Sequence, residues 1–352
     1  MAAAPLRYAE LALSAQTAYA ELFDQARAGE LQRSIAHLHG SFASKSVKGR
    51  DYWYFAYRDI DGAVRQLYVG PDDERVRALI ARFREHRARP LAPMARAAIA
   101  LGCAATVPRQ FRIVRRLAEY GFFGAGGVLI GTHAFVCLGN TLGIRFPDGA
   151  ATLDVDFAHA GNNISVALPA DVKIDVHKAI DSLEMGFLPI TELQGGAGTT
   201  YLNPSDPELR LDFLTAMTRA SHKPVHIANL NVALQPLKFM DFCLDGVYQA
   251  ALLANDGAVV VNLPSPARFA IHKLIVYGER AGSFRAKANK DLLQAAALIE
   301  YLAIQRPDEL RDAWRDALSR GPGWQKRARQ GRGALARLEP AVPGGQLLAD
   351  ER

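Results

Sequence analysis

The stretch that decides the fold lies near the middle of the chain, where residues 152–157 read Thr-Leu-Asp-Val-Asp-Phe. Apolar residues alternate here with acids, and this two-residue period is that of a β-strand. Side chains two positions apart share one face of a strand, so Asp154 and Asp156 are expected to project side by side, with Cα atoms about 6–7 Å apart. Such carboxylates repel each other, and one would stay protonated without a nearby cation.

A divalent cation would remove this repulsion. Mg²⁺ prefers one or two protein carboxylates together with phosphate oxygens of a substrate. We therefore interpret Asp154 and Asp156 as a metal clamp for phosphoryl chemistry. The alternative is an edge strand with a polar face, which would need no metal.

The segment before this strand predicts a phosphate site. Residues 124–130 read Gly-Ala-Gly-Gly-Val-Leu-Ile and end in a short apolar run that is typical of a buried strand. Gly131 and Thr132 follow, and residues 133–138 predict the first turns of a helix. A glycine at such a corner lets the backbone approach a ligand closely. Thr132 can cap the helix or bind a phosphate at its N-terminus.

This order of elements resembles the nucleotidyltransferase superfold of DNA polymerase β. In that superfold a Gly-Gly or Gly-Ser turn precedes an acidic pair on the next strand, and a later strand supplies a third carboxylate. Residues 210–215 read Arg-Leu-Asp-Phe-Leu-Thr, which alternates like a strand and offers Asp212 as the third acid.

A helical segment further on strengthens the resemblance. It carries Lys273, Arg280, Lys290 and Asp291, in an order similar to that of the AbiEii/MenT-type toxin nucleotidyltransferases. Over roughly residues 120–305 the layout looks most like the bacterial family called GSU2403-type nucleotidyltransferase-fold proteins.

The resemblance implies a role for each of these residues. Asp154, Asp156 and Asp212 would be the catalytic acids and the metal ligands, with Asp212 also deprotonating the attacking hydroxyl. The nucleotide would be bound by Gly131, Thr132, Lys273, Arg280, Lys290 and Asp291. Lys273 would place a positive charge on the triphosphate, although it could also be an ordinary surface lysine. Asp291 would either hold Lys273 in place or contact the nucleotide.

The implied fold is α+β. A polymerase-β-like nucleotidyltransferase core would occupy residues 121–263, between an N-terminal helix and β-meander region at 1–120 and a C-terminal helical bundle at 264–340. Residues 341–352 would be a frayed tail. The meander is predicted for residues 39–70 because turn signals separate three short strand-like runs there.

The implied activity is transfer of a nucleoside monophosphate from an NTP to a hydroxyl, with release of pyrophosphate and with two Mg²⁺ ions as cofactors. An RNA such as a tRNA end, or a protein, would be the acceptor, and the sequence does not choose between them. The alternative function is a non-catalytic nucleotide- or RNA-binding module that keeps the fold. Retention of all three acids argues against it.

The chain of 352 residues has a net charge of +6, which weakly favours anionic partners. One basic segment contains Lys326, Arg327, Arg329 and Arg332. It would either contact RNA or form a solvated helix end, and its glycines, Gly321, Gly323, Gly331 and Gly333, favour a flexible segment.

Composition and cysteine content also indicate the cellular compartment that is expected for the protein. No apolar run reaches the ~18–20 residues of a membrane span, and the N-terminus lacks the pattern of a secretory signal. The cysteines are odd in number and widely spaced, at Cys103, Cys137 and Cys243. We therefore expect buried free thiols in a cytoplasmic protein that has no membrane partner.

Overall fold

The computed structural model describes residues 6–32, 40–47, 49–58, 64–74, 76–77, 80, 91–147, 153–160, 174–190, 198–217, 222–279, 285–343 and 348. The strands in this part of the chain are β1 (Ala9–Glu10), β2 (Gly40–Val47), β3 (Arg50–Arg58), β4 (Val64–Pro71), β5 (Gly127–Ile130), β6 (Ile144–Arg145), β7 (Val155–His159), β8 (Leu188–Pro189), β9 (Thr200–Asn203), β10 (Asp206–Ala216), β11 (Val225–Ile227), β12 (Val232–Leu237), β13 (Tyr248–Ala254) and β14 (Gly257–Leu263). The helices are α1 (Leu13–Gln32), α2 (Ala92–Ala100), α3 (Pro108–Glu119), α4 (Gly131–Leu142), α5 (Val176–Asp181), α6 (Met240–Leu244), α7 (Pro266–Glu279), α8 (Arg285–Gln305), α9 (Pro307–Ser319) and α10 (Pro322–Leu338).

A mixed sheet carries the acidic strands. Its strand order is β11-β12-β10-β7-β5, and β9 adds to β10 while β8 adds to β9. Strands β7 and β10 are parallel neighbours, and their register places Asp212 directly opposite Asp156. On the other side of β7, the antiparallel strand β5 places Ile130 opposite Asp156. The end of β5 and two of the three predicted acids therefore meet in one row across the sheet.

Burial explains why β7 and β10 sit in the middle of this sheet. Phe157 and Phe213 are fully buried and stack with ring centroids 5.3 Å apart, and Phe122 meets both rings edge-on. Burying a side chain of this size stabilises a fold by about 1.5–3 kcal/mol. Because side chains alternate along a strand, the acids project from the opposite face to these rings.

The N-terminal strands and helices lie outside the mixed sheet. Strands β2, β3 and β4 form a separate antiparallel meander. Helices α1 and α2 pack instead against the β13–β14 hairpin, where Tyr19, Leu22, Ala95 and Leu253 belong to one buried cluster.

The C-terminal helices share the main hydrophobic core with the sheet, since buried residues from Phe157 to Trp314 form one cluster. Helix α10 packs closely on α7, because a Cβ atom at Gly331 would overlap the backbone of Leu274. The expectation of a flexible glycine-rich segment is therefore wrong. The missing side chain at Gly331 allows two helix backbones to approach each other, which a glycine count cannot distinguish from flexibility.

The three cysteines Cys103, Cys137 and Cys243 are buried and free, as predicted. No helix in the described residues is both long enough and apolar enough to cross a membrane.

Candidate active site

The strand-to-helix corner at Gly131 lies against the carboxylate of Asp156. Helix α4 begins at Gly131, whose φ is +67°, a conformation that favours glycine. A Cβ atom at this position would overlap the carboxylate of Asp156. The corner and the acidic strand thus form one site, and the absence of a side chain at Gly131 makes room for Asp156.

Thr132 lies inside the first turn of α4 rather than at its N-cap. The N-cap is Ile130, which is extended and makes no side-chain capping bond. The predicted capping role of Thr132 is therefore wrong, because the helix begins two residues earlier than the sequence pattern suggests. The buried hydroxyl of Thr132 instead accepts a hydrogen bond from Gln294 Nε2 on α8, at 3.4 Å.

The acids occupy different environments. Burial raises the pKa of Asp156 to about 6, and the charge of Asp212 adds to this shift while Lys273 opposes it. Asp212 accepts a hydrogen bond from Thr200 Oγ1 at 2.7 Å, which orients its carboxylate. Asp154 directly precedes β7 and is only half-buried.

Arg210 contacts two of the acids, and sequence reasoning did not assign it to the site. Its Nη2 lies 3.3 Å from Asp154 Oδ2, and its Nε lies 2.9 Å from Asp212 Oδ2. Lys287 Nζ lies 3.9 Å from the same Asp154 oxygen. The signal for Arg210 was present in the sequence: it lies two residues before Asp212, so the alternation that identified the acid places the arginine on the same strand face.

Lysines on two helices face the acids. Lys273 on α7 forms an ion pair of 2.6 Å with Asp291 on α8, and the side chains are only 14% and 6% exposed. Asp291 thus holds Lys273, which is one of the two roles predicted for it. Burial and the charge of Lys273 lower the pKa of Lys290, while Asp154 and Asp156 oppose the shift. Arg280, the remaining predicted nucleotide ligand, lies outside the described residues.

His133 is a further polar residue of the site that sequence reasoning missed. It lies in the first turn of α4 and hydrogen-bonds to the backbone of Asp154, and burial lowers its pKa to about 4. The imidazole is therefore neutral near pH 7, and it can fix the chain just before β7. Its position two residues after Gly131 was the only sequence signal for this role.

The donor set fits Mg²⁺, because hard carboxylate oxygens are the ligands that this ion prefers. Among the described residues, no three acidic, histidine or cysteine side chains already converge as metal ligands. Arg210 contacts Asp154 and Asp212, so an ion binding there would have to displace its guanidinium. Burial is the largest cause of the raised pKa of Asp156, and the charge of Asp212 adds to it, so a cation bound beside Asp156 would favour its ionised form.

We expect Gly131→Ala to lower any catalytic activity that depends on the Asp156 carboxylate by at least about 100-fold, since a displacement of roughly 1 Å at a reacting centre can have this effect. The new methyl group would push the Asp156 carboxylate out of place. Gly186→Ala is the matched control, because Gly186 has a similar φ of +75° with no atom near its Cβ position. It should lose about 1–2 kcal/mol of stability from backbone strain and keep its activity. Equal activity of both variants would contradict the close contact between Gly131 and Asp156.

Comparison with known proteins gives two matches. A family model described as Nucleotidyltransferase matches residues 109–319. Among solved structures, the chain is similar to an antigenic nucleotidyltransferase-like protein from Paracoccidioides brasiliensis, with 15% sequence identity, a TM-score of 0.29, and coverage of 64% of this chain and 95% of that chain. No match is found among curated proteins. The matched residues of the family model include the Gly131 corner, the acids and the Lys273–Asp291 pair.

Proposed function

The chain belongs to the nucleotidyltransferase family whose model spans residues 109–319, and we propose that it transfers a nucleoside monophosphate from an NTP to an acceptor hydroxyl. The observation that carries this proposal is the register of β7 and β10, which sets Asp156 opposite Asp212 at the Gly131 corner. Within the family, we infer a polymerase-β-like core of the bacterial type that the sequence resembles. The domain boundaries at 120/121 and 263/264 stay predictions.

Asp154, Asp156 and Asp212 would hold the two Mg²⁺ ions, which when bound neutralise charge on the transferred phosphoryl group and the leaving pyrophosphate. The hydrogen bond from Thr200 keeps Asp212 in position to accept the proton of the attacking hydroxyl. The N-terminus of α4 at Gly131 and Thr132 favours phosphate oxygens, because its backbone N–H groups have no helical partners.

The basic side chains of the site complete the triphosphate pocket in this proposal. Lys273 is fixed by Asp291 and supplies a positive charge without having to be ordered during the reaction. Lys290 lies beside Asp154 and Asp156, and Lys287 lies beside Asp154. When the acids bind metal, Arg210 would leave them and become available to a phosphate oxygen, which arginine binds with two parallel hydrogen bonds.

The direct test is incubation of the protein with each labelled NTP, Mg²⁺ and either total RNA or cell lysate. Transfer of label to RNA or to a protein band, with release of pyrophosphate, is the expected result. It also identifies the base and the class of acceptor. Binding of NTP without any transfer would contradict the proposal.

That second outcome has some structural support. Arg210 pairs with both Asp154 and Asp212, and a non-catalytic module that binds nucleotide or RNA could keep such a contact permanently. The labelled-NTP assay separates the two functions, because only the enzyme releases pyrophosphate.

We expect Asp212→Asn to lower kcat sharply while NTP affinity changes little, because a group that accepts a proton from the hydroxyl acts mainly in the transition state. The amide can still bond to Thr200 but cannot take up the proton. Glu208→Gln is the matched control, since Glu208 lies on the same strand and is exposed. Steady-state kinetics and an NTP-binding titration provide the two readouts. A variant that loses NTP binding but keeps kcat would show that Asp212 has another role.

A further inference from the structure

Helix α3 carries a row of arginines on the face that points away from the core. Its apolar residues, such as Phe111, Val114 and Leu117, are buried. The arginines on the other side are Arg109, Arg112, Arg115 and Arg116, and all of them line a groove of about 600 Å³. Met185 and Asp256 also line this groove, so it runs between α3, the loop after α5 and the β13–β14 turn.

The arginines of this groove outnumber their acidic partners. Arg109 pairs with Asp206 at 2.5 Å, and Arg115 and Arg116 share Glu119 at 3.0 and 3.5 Å. Arg112 donates to a neutral group, the backbone carbonyl of Leu183, at 2.6 Å. Among the described residues at the groove, four arginines thus face three carboxylates, those of Asp206, Glu119 and Asp256. Since a guanidinium has five N–H donors, each of these contacts leaves donors for a further acceptor.

Helix α3 and strand β10 connect the groove to the candidate active site. Gln110, the neighbour of Arg109 on α3, donates to the backbone oxygen of Leu153 at 3.5 Å, and Leu153 directly precedes Asp154. Asp206, the partner of Arg109, opens β10, and Asp212 lies six residues further along that strand. Six residues of strand span about 20 Å. A chain bound in the groove could therefore reach the acids with its end.

The basic C-terminal segment is a weaker candidate for the same role, because Arg327 and Arg332 also pack over aromatic rings of the fold. Arg327 pairs with Glu279 and lies over the ring of Phe239. Arg332 donates to the backbone oxygen of Leu348 and lies over the ring of Trp314. Reversing these charges would disturb the packing of α10, so any effect on RNA binding would be hard to separate from a loss of stability.

We propose that the α3 groove binds the phosphodiester backbone of an RNA acceptor whose terminal hydroxyl reaches Asp212. This inference rests on the proposed function and adds to it the class of acceptor. Repeated arginines suit a phosphodiester chain, because the guanidinium fork matches the geometry of phosphate oxygens and each contact releases counterions from the RNA. A protein acceptor would gain little from a row of arginines unless it were itself strongly acidic.

The test is a salt titration of RNA binding without NTP. A fluorescein-labelled single-stranded RNA is titrated with wild type, with the double variant Arg112→Gln/Arg116→Gln, and with the control Arg311→Gln/Arg315→Gln on α9. The control arginines are also half-exposed and pair with nearby acids. Each lost phosphate contact lowers the slope of log K against log salt by about 0.7 for single strands. The slope of the groove variant should therefore be smaller than that of wild type by about 1.4, while the control keeps the wild-type slope. The factor by which a fourfold rise in salt weakens RNA binding should then be about 7-fold smaller for the groove variant than for wild type.

A charge-preserving variant, Arg112→Lys/Arg116→Lys, distinguishes loss of contact from loss of fold. It should keep most of the slope, and all variants should bind NTP as wild type does. Identical slopes for the groove variant and the control would overturn the inference, and so would a wild-type protein that binds no RNA. Label transfer to a protein band in that case would still uphold the proposed transfer activity, so the two failures can be told apart.

Discussion

Asp156→Asn should abolish nucleotide transfer and at the same time make the metal-free protein more stable. Activity should fall at least about 1000-fold, because in the proposed function the Asp156 carboxylate helps to hold the Mg²⁺ ions that would stabilise the transition state. Asp156 is the acid that Gly131 makes room for and that lies opposite Asp212. A fully active Asp156→Asn protein would contradict the assignment of this site.

The gain in stability follows from the pKa of Asp156. In the folded protein it is raised to about 6 from a usual value of 3.8, so between these pH values the folded state holds a proton that the unfolded state releases. Stability of the wild type therefore falls as pH rises through this range, and the carboxylate costs up to about 3 kcal/mol at neutral pH. The asparagine variant avoids this cost.

Urea unfolding in EDTA at several pH values measures this effect. The variant should be more stable than wild type at about pH 7–8, and the difference should shrink as the pH approaches 4. Adding Mg²⁺ should stabilise wild type more than the variant, because a ligand that binds only the folded state raises its stability. Glu208→Gln, on the exposed part of β10, should show neither effect. A variant that is less stable than wild type at neutral pH would show that neighbouring side chains already compensate the negative charge of Asp156 in the absence of metal.

Lys273→Met should destabilise the protein by about 3–5 kcal/mol, because it removes the positive charge from a buried ion pair with Asp291. The pair is 2.6 Å apart, and Asp291 is only 6% exposed. Arg311→Met on α9 is the control for loss of an exposed ion pair, since Asp308 is 85% exposed. It should cost at most about 1 kcal/mol.

A double variant separates the structural role of Lys273 from its proposed role at the triphosphate. Lys273→Met/Asp291→Leu replaces the buried pair by apolar side chains and should recover most of the stability, since such replacements are often neutral or stabilising. Activity should stay low, with a raised KM for NTP, because the positive charge is gone. Recovery of both stability and activity would show that Lys273 only packs against Asp291. Urea unfolding and steady-state kinetics on all four members of the cycle provide the readouts.

Much of the site could be predicted from local pattern. The alternation around Asp156 and Asp212 identified two strands and the face from which these acids project, because side-chain direction along a strand depends only on backbone geometry. Asp154 was expected on the same strand as Asp156 but lies just before β7. The corner at Gly131 was predicted for the same kind of reason, as a glycine between an apolar run and a helical segment. The pairing of Lys273 with Asp291 was one of two alternatives.

Local pattern failed where a side chain's role depends on distant neighbours. Thr132 was predicted either to cap α4 or to bind a phosphate, and it does not cap the helix but accepts a hydrogen bond from Gln294, which lies 162 residues away in the sequence. Gly331 was expected to make the chain flexible, but it allows α10 to approach α7. Arg210 had no assigned role until the structure placed it between two acids.

The sequence alone thus indicates that Asp156 and Asp212 lie on strands, and which face of each strand is charged, since side-chain alternation depends on neighbouring residues. Tertiary structure decides that β7 and β10 are parallel neighbours with Asp156 opposite Asp212, although many other residues separate them. It also decides that the arginines of α3 line one groove with Asp256. These arrangements depend on how rings such as Phe157 and Phe213 become buried together, and that burial is a property of the whole chain rather than of any one segment.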